Sequence, residues 1–196
     1  MTIDVGALVE RWKHGDPQAA EAIYNHHRTR VYGLAYSLLA DEAEAEDAAQ
    51  DALTYALTNI ARYSPQLASF STWLHTITVS RCRDRLRRRK HFTFSISNWL
   101  REEEDIPDPA ENQEQQAMES EMQGEILKAV QNLSLPLREA VLLRFWLGHT
   151  FREMAEILGC PVPTVQSRVR LAYQKLKISL AQSDVVHGFD LEEAGQ

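Results

Sequence analysis

The chain has 196 residues, 44% of them apolar, which is enough for one sizeable core or two small ones, and its formal net charge is −7. Its two cysteines, Cys82 and Cys160, have no metal-ligand spacing around them, so neither a disulfide framework nor a metal site is indicated and no cofactor is expected. The longest clean apolar run is AVLL at 140–143 and no apolar signal core begins the chain, which predicts a cytoplasmic protein without membrane insertion.

The charge is unevenly distributed. Residues 1–90 carry 12 Lys or Arg against 11 Asp or Glu, 91–134 carry 2 against 10, 135–183 carry 7 against 3, and 184–196 carry four acids and no Lys or Arg. The acidity therefore belongs to a middle segment and a tail, and the remaining two blocks are neutral to basic.

In chain order, Asp16-Pro17 pairs a helix N-cap with proline at the first helical position. Behind it Ala20, Ile23, Tyr24, Val31, Leu34, Ala35 and Leu38 recur at steps of three and four, the stripe of an amphipathic helix. After a polar break at Asp41-Glu42, a second helix is predicted from about Ala43 to Arg62, with Ala49, Leu53, Ala56, Leu57 and Ile60 facing one way. RYSPQLASFS interrupts it, and a third helix starts near Ser69–Ser71. There Phe70, Trp73, Leu74 and Ile77 share an apolar face that ends at Ile77. Seven of the ten residues Arg81–Lys90 are then Lys or Arg, with Arg81, Arg85 and Arg88 on one side and Arg83, Arg87 and Lys90 on the other. The helix is expected to leave the core and to show positive charge on two flanks.

REEEDIPDPAENQEQQ, with two prolines and almost no apolar residues, reads as a linker. After it, Met118, Met122, Ile126, Leu127 and Val130 mark an amphipathic helix. Thr150 and Glu153 form a capping box ahead of Phe151, Met154, Ala155 and Leu158, and Gly159 can close that helix in the left-handed conformation. The next helix turns Val165, Val169, Ala172 and Leu176 inward, which leaves Thr164, Gln166, Ser167, Arg168 and Arg170 outward. Two short helices around a glycine turn, the second basic on its outer face, make a helix-turn-helix; Gln and Arg suit base edges, and Ser or Thr suits bases or phosphates. An ordinary α-helical hairpin with a solvated face is the plainer alternative. The fold class is all-α: two small helical domains, a bundle over 1–92 and a helix-turn-helix domain over 121–181, joined by an acidic flexible linker at 93–120 and followed by an acidic tail at 182–196.

Two blocks in order resemble the extracytoplasmic-function (ECF) group of bacterial RNA polymerase sigma factors in the sigma-70 family. AEDAAQDALTYALTNIARYSPQLASFSTWLHTITVSRCRDRLRRRKH resembles its second sigma domain (region 2), and LPLREAVLLRFWLGHTFREMAEILGCPVPTVQSRVRLAYQKL resembles its fourth (region 4), including LPLRE and TV-x-SR-x-x-x-A. The resemblance implies a transcription initiation factor that binds core RNA polymerase and promoter DNA. The helix with Glu46, Asp47 and Gln50 would dock on the polymerase. Tyr63, Ser64, Ser71, Thr72, Ser80, Arg83, Arg85, Arg87 and Arg88 would hold the single-stranded −10 element. Thr164, Gln166, Ser167, Arg168 and Arg170 would read the duplex −35 element. It also implies an anti-sigma factor as a partner, and a linker that either threads a polymerase channel or is a solvated spacer.

A loop with aromatic and hydroxyl groups beside a basic helix suits unstacked single strands, although Phe70 and Trp73 also fit the core stripe. Departures from the family pattern are Ser80 in place of the usual Asn, which bears on the base contact implied there, Pro161, which has no capping side chain, in place of a Ser or Thr N-cap, and Leu171 where a basic residue is frequent, which points to an unusual −35 preference.

Other readings are a helix-turn-helix regulator that binds duplex DNA as a dimer through an N-terminal interaction domain, and an enzyme built on the carboxylates of DEAEAEDAAQD. The regulator leaves STWL and the basic helix unexplained, and no histidine falls at ligand spacing beside those carboxylates, so no catalytic activity is expected. His26-His27, His75 and His149 lack partners in sequence and are expected at the surface or as caps.

Overall fold

The computed structural model describes residues 4–95 and 114–181, and among them every regular element is helical. Helix α1 is Val5–Lys13, α2 is Pro17–Leu39, α3 is Glu42–Thr58 and α4 is Phe70–Ser95. Side chains explain their starts: Asp4, Asp16 and Asp41 accept from the backbone N–H of Ala7, Gln18 and Glu44. Helix α3 stops four residues short of the expected end. The Thr58 hydroxyl and the Asn59 amide bond the carbonyls of Thr54 and Tyr55, and a 3₁₀ turn, Ile60–Arg62, follows.

The second group comprises α5 (Glu114–Gln131), α6 (Leu135–Val141), α7 (Phe151–Leu158) and α8 (Val162–Leu180). Helix α5 begins within the expected linker; the rest of that linker after Ser95, and the tail beyond Ala181, lie outside the described residues. One π-helical turn, Leu142–Trp146, extends α6. The capping box of α7 is formed from both sides, Gly159 closes the helix at φ 66°, and Pro161 precedes α8 with no side-chain cap.

Two clusters form the interior. One lies within the first four helices, around Val9, Ile23, Val31, Leu53, Phe70 and Leu74. The other joins Leu34, Leu38, Val79 and Cys82 of that group to Leu137, Leu143, Met154, Ile157 and Val165 of the second. Each fully buried Leu, Val or Met there contributes about 1.5–3 kcal/mol relative to exposure. The apolar face of α4 therefore does not end at Ile77. Thr78, Val79 and Cys82 are buried because α7 packs on α4 where the sequence pattern alone turns polar.

Candidate nucleic-acid and polymerase interfaces

The helix-turn-helix is built as its sequence pattern requires. Val165, Val169 and Ala172 are buried, while Gln166, Ser167 and Arg170 are exposed on the other side of α8. Thr164 is half-buried at the first turn, and Arg168, also half-buried, reaches Cys160 Sγ at 3.5 Å. It is α7 that packs on α4, which leaves the outer face of α8 to solvent.

The loop before α4 is partly closed by its own contacts. Tyr63 is buried, with its ring 5.4 Å from Phe70 and 5.5 Å from Trp73, so these aromatics form a local core. Ser64 bonds Gln66 and Ser71 is half-buried. Thr72 is fully buried, bonds Ser69, and donates to Glu153 Oε1 of α7 at 3.1 Å.

The basic run divides into unequal parts. Arg81 lies over the Tyr55 ring, 5.0 Å from its centroid. Arg83 binds both carboxylate oxygens of Glu139 at 2.6 and 2.7 Å; Glu139 is 1% exposed, and this pair raises the Arg83 pKa against the effect of burial. Arg85 reaches Glu44, Asp47 and Asp51 at 2.7, 3.4 and 2.8 Å, and these acids outweigh burial and raise its pKa too. Arg87 pairs with Asp84, and Arg88 and Ser80 are exposed; the side chain of Lys90 lies outside the described residues. Of the expected −10 set, Arg88, Arg87 and Ser80 thus face water while Tyr63, Thr72, Arg83 and Arg85 are spent on internal contacts.

Two acidic residues of α3, Glu46 and Asp47, line a groove of about 520 Å³ between α2 and α3. Its walls include Tyr24, Arg28 and Tyr32 on α2 and Glu46, Asp47 and Gln50 on α3. The three residues expected to dock on a partner therefore share one concave surface. Asp47 connects it to the basic helix through Arg85.

Sequence reasoning missed the residues that tie the two groups together. Arg138 donates to Leu38 O of α2 at 2.6 Å and to the carbonyls of Gln131 and Leu133 at the end of α5, where helix termini leave acceptors unpaired. Trp146 on the π turn covers Gly33 of α2; a Cβ there would stand 2.5 Å from its ring. LPLRE contains both Arg138 and Glu139, so the motif was visible although its partners were not. The histidine expectation is corrected for three of the four. His26 is exposed, but His27, His75 and His149 are buried, and His75 meets His149 across the join because α4 and α7 bring them together. Burial pushes the Cys82 thiol up to about 12, which keeps it an unreactive apolar side chain.

The sequence matches sigma-70 region 2 over residues 23–92 and sigma-70 region 4 over residues 123–176. It is 27% identical to the RNA polymerase sigma-H factor of Pseudomonas aeruginosa across 88% of this chain and 92% of that one. It is 31% identical to the ECF RNA polymerase sigma factor SigE of Mycolicibacterium smegmatis across 83% of this chain and 62% of that one. The fold is similar to that of the sigma factor RpoE in its complex with the anti-sigma factor NepR from Bartonella quintana, with TM-score 0.66, 24% identity, and coverage of 83% and 97%. It is also similar to CnrH in its complex with the cytosolic domain of CnrY, with TM-score 0.63, 21% identity, and coverage of 90% and 97%. A chain whose described elements are all helical, with region 2 and region 4 in this order, belongs to the sigma-70 family, and it acts in promoter-directed transcription initiation. Within that family it belongs to the ECF group, as the relatives matched along most of its length do.

Proposed function

We propose that residues 1–92 hold core polymerase and the melted −10 element, that residues 121–181 read the −35 duplex, and that residues 93–120 connect the two. The observation that carries the −35 assignment is the face of α8, where Gln166, Ser167 and Arg170 are exposed directly opposite buried Val165, Val169 and Ala172. Those types supply base-edge and phosphate contacts from the N-terminal half of a helix laid in the major groove. Thr164 and Arg168 flank that face. Arg87, Arg88 and Ser80 serve the −10 element directly, Thr72 and Arg83 serve it once the two helix groups part, and Tyr63, Ser64, Ser71 and Arg85, on the first group, complete the set. The groove holding Glu46, Asp47 and Gln50 is the docking surface for the polymerase. No step in this scheme is catalytic, and its place is the cytoplasm, with the polymerase. An inhibitory anti-sigma protein is proposed as a partner by analogy with the Bartonella quintana complex.

The experiment is open-complex formation with core polymerase on a supercoiled promoter over a salt series. R87A/R88A should weaken it and flatten its salt dependence by roughly one unit of slope for each phosphate no longer neutralised. Q166A/R170A should remove discrimination at the −35 element and leave the −10 element unaffected. Specific duplex binding without polymerase, together with no initiation in its presence, would overturn the scheme in favour of an autonomous regulator.

A further inference from the structure

The buried histidines where the two helix groups meet are not among the residues assigned to promoter or polymerase contact. His75 of α4 and His149, just before α7, place Nδ1 of the first 2.7 Å from Nε2 of the second, with rings 5.0 Å apart and nearly perpendicular. That distance holds a single proton between the rings. His149 Nδ1 lies 3.7 Å from Glu153 Oε2, and the His149 carbonyl accepts from Arg144. His75 Nε2 is buried with no hydrogen-bond partner. One tautomer serves every N–H: His75 Nδ1–H donates to His149 Nε2, and His149 Nδ1–H points toward Glu153. The one bare nitrogen is then His75 Nε2, where an added proton would have no acceptor. The groups that α2 brings near it, His27 and Arg30, offer no negative charge.

We propose that this pair is an acid-released latch: neutral, it holds α7 on α4, and uptake of protons by the separated rings opens the two helix groups and frees Thr72 and Arg83. Burial, with His149, His27 and Arg30 acting in the same direction, pushes His75 down to about 3, and burial lowers His149 against the pull of Glu153. A closed state that refuses protons is at full strength above the ordinary imidazole value of about 6.5 and weakens as pH falls below it. If the open state exposes both rings, its population relative to the closed state rises roughly a hundredfold between pH 7.5 and 5.5. The guanidinium groups of Arg30, Arg83, Arg138 and Arg144 keep their charge throughout that range.

The test is hydrogen exchange of the full chain at pH 7.5 and 5.5, corrected for the intrinsic rate. It needs neither promoter nor polymerase, so its failure is separate from failure of the sigma-factor scheme. Protection in α7 and in the middle of α4 should fall roughly a hundredfold, with α2 and α3 keeping theirs, and H75Q/H149Q should lose the pH dependence. H149Q alone leaves one titrating ring and should halve the slope of log opening against pH. A fall below threefold would overturn the latch. So would an equal loss in α2 and α3, which would assign the effect to unfolding around His27, lowered to about 4 by burial. A double variant that follows the wild-type curve, or a single variant with unchanged slope, would do the same.

Discussion

Arg83→Ala tests whether the join between the two helix groups depends on one ion pair. The Glu139 side chain is 2% exposed and receives its two short bonds from Arg83, whose own side chain is 32% exposed. Removing Arg83 leaves a desolvated carboxylate with its partner gone, a change that costs 3–5 kcal/mol where burial is complete. Water reaching the vacated side of Arg83 places this case near the lower end, at about 3 kcal/mol. A loss of that size shifts the closed state by roughly a hundredfold, since each 1.4 kcal/mol is a factor of ten. R83M/E139L, which removes both charges and keeps the volume, should recover most of the loss. Urea unfolding of the full chain, followed by circular dichroism and tryptophan fluorescence, measures all three proteins. An R83A value within 0.5 kcal/mol of wild type, or a double variant as weak as R83A, would refute the reasoning: the first would show that the pair contributes little, the second that the loss was packing and not charge.

Gly33→Ala should leave the first helix group as stable or more so, by up to about 1 kcal/mol of helix propensity, while the new methyl displaces Trp146 from its seat on α2. The measurement is a red shift of Trp146 emission, resolved in a background where the other tryptophans are replaced by phenylalanine. Thr150→Ala removes the hydroxyl that caps α7 and holds Glu153, whose carboxyl sits below the usual range because bonds from Thr150 and Thr72 outweigh burial. It should cost about 1 kcal/mol in thermal unfolding of the full chain and weaken −35 duplex retention through loss of order in the helix-turn-helix.

Much of the fold was written locally. Asp16-Pro17, the Thr150–Glu153 box and Gly159 act within one helical turn, so residues a few positions apart set those boundaries whatever the rest of the chain does. The inward positions Val165, Val169 and Ala172 follow from the helical repeat, and with them the outward set on α8. What the charges do was not local. Arg83 finds Glu139 56 residues away, and His75 finds His149 74 residues away. Arg85 turns to the acids of α3, so a run that reads as a uniform nucleic-acid face divides into arginines that tie helices together and arginines that face water. A helical projection shows which side a residue occupies and nothing of what stands opposite. The packing of α7 on α4 supplied that, because burial there makes an unpaired charge too costly to leave without a partner.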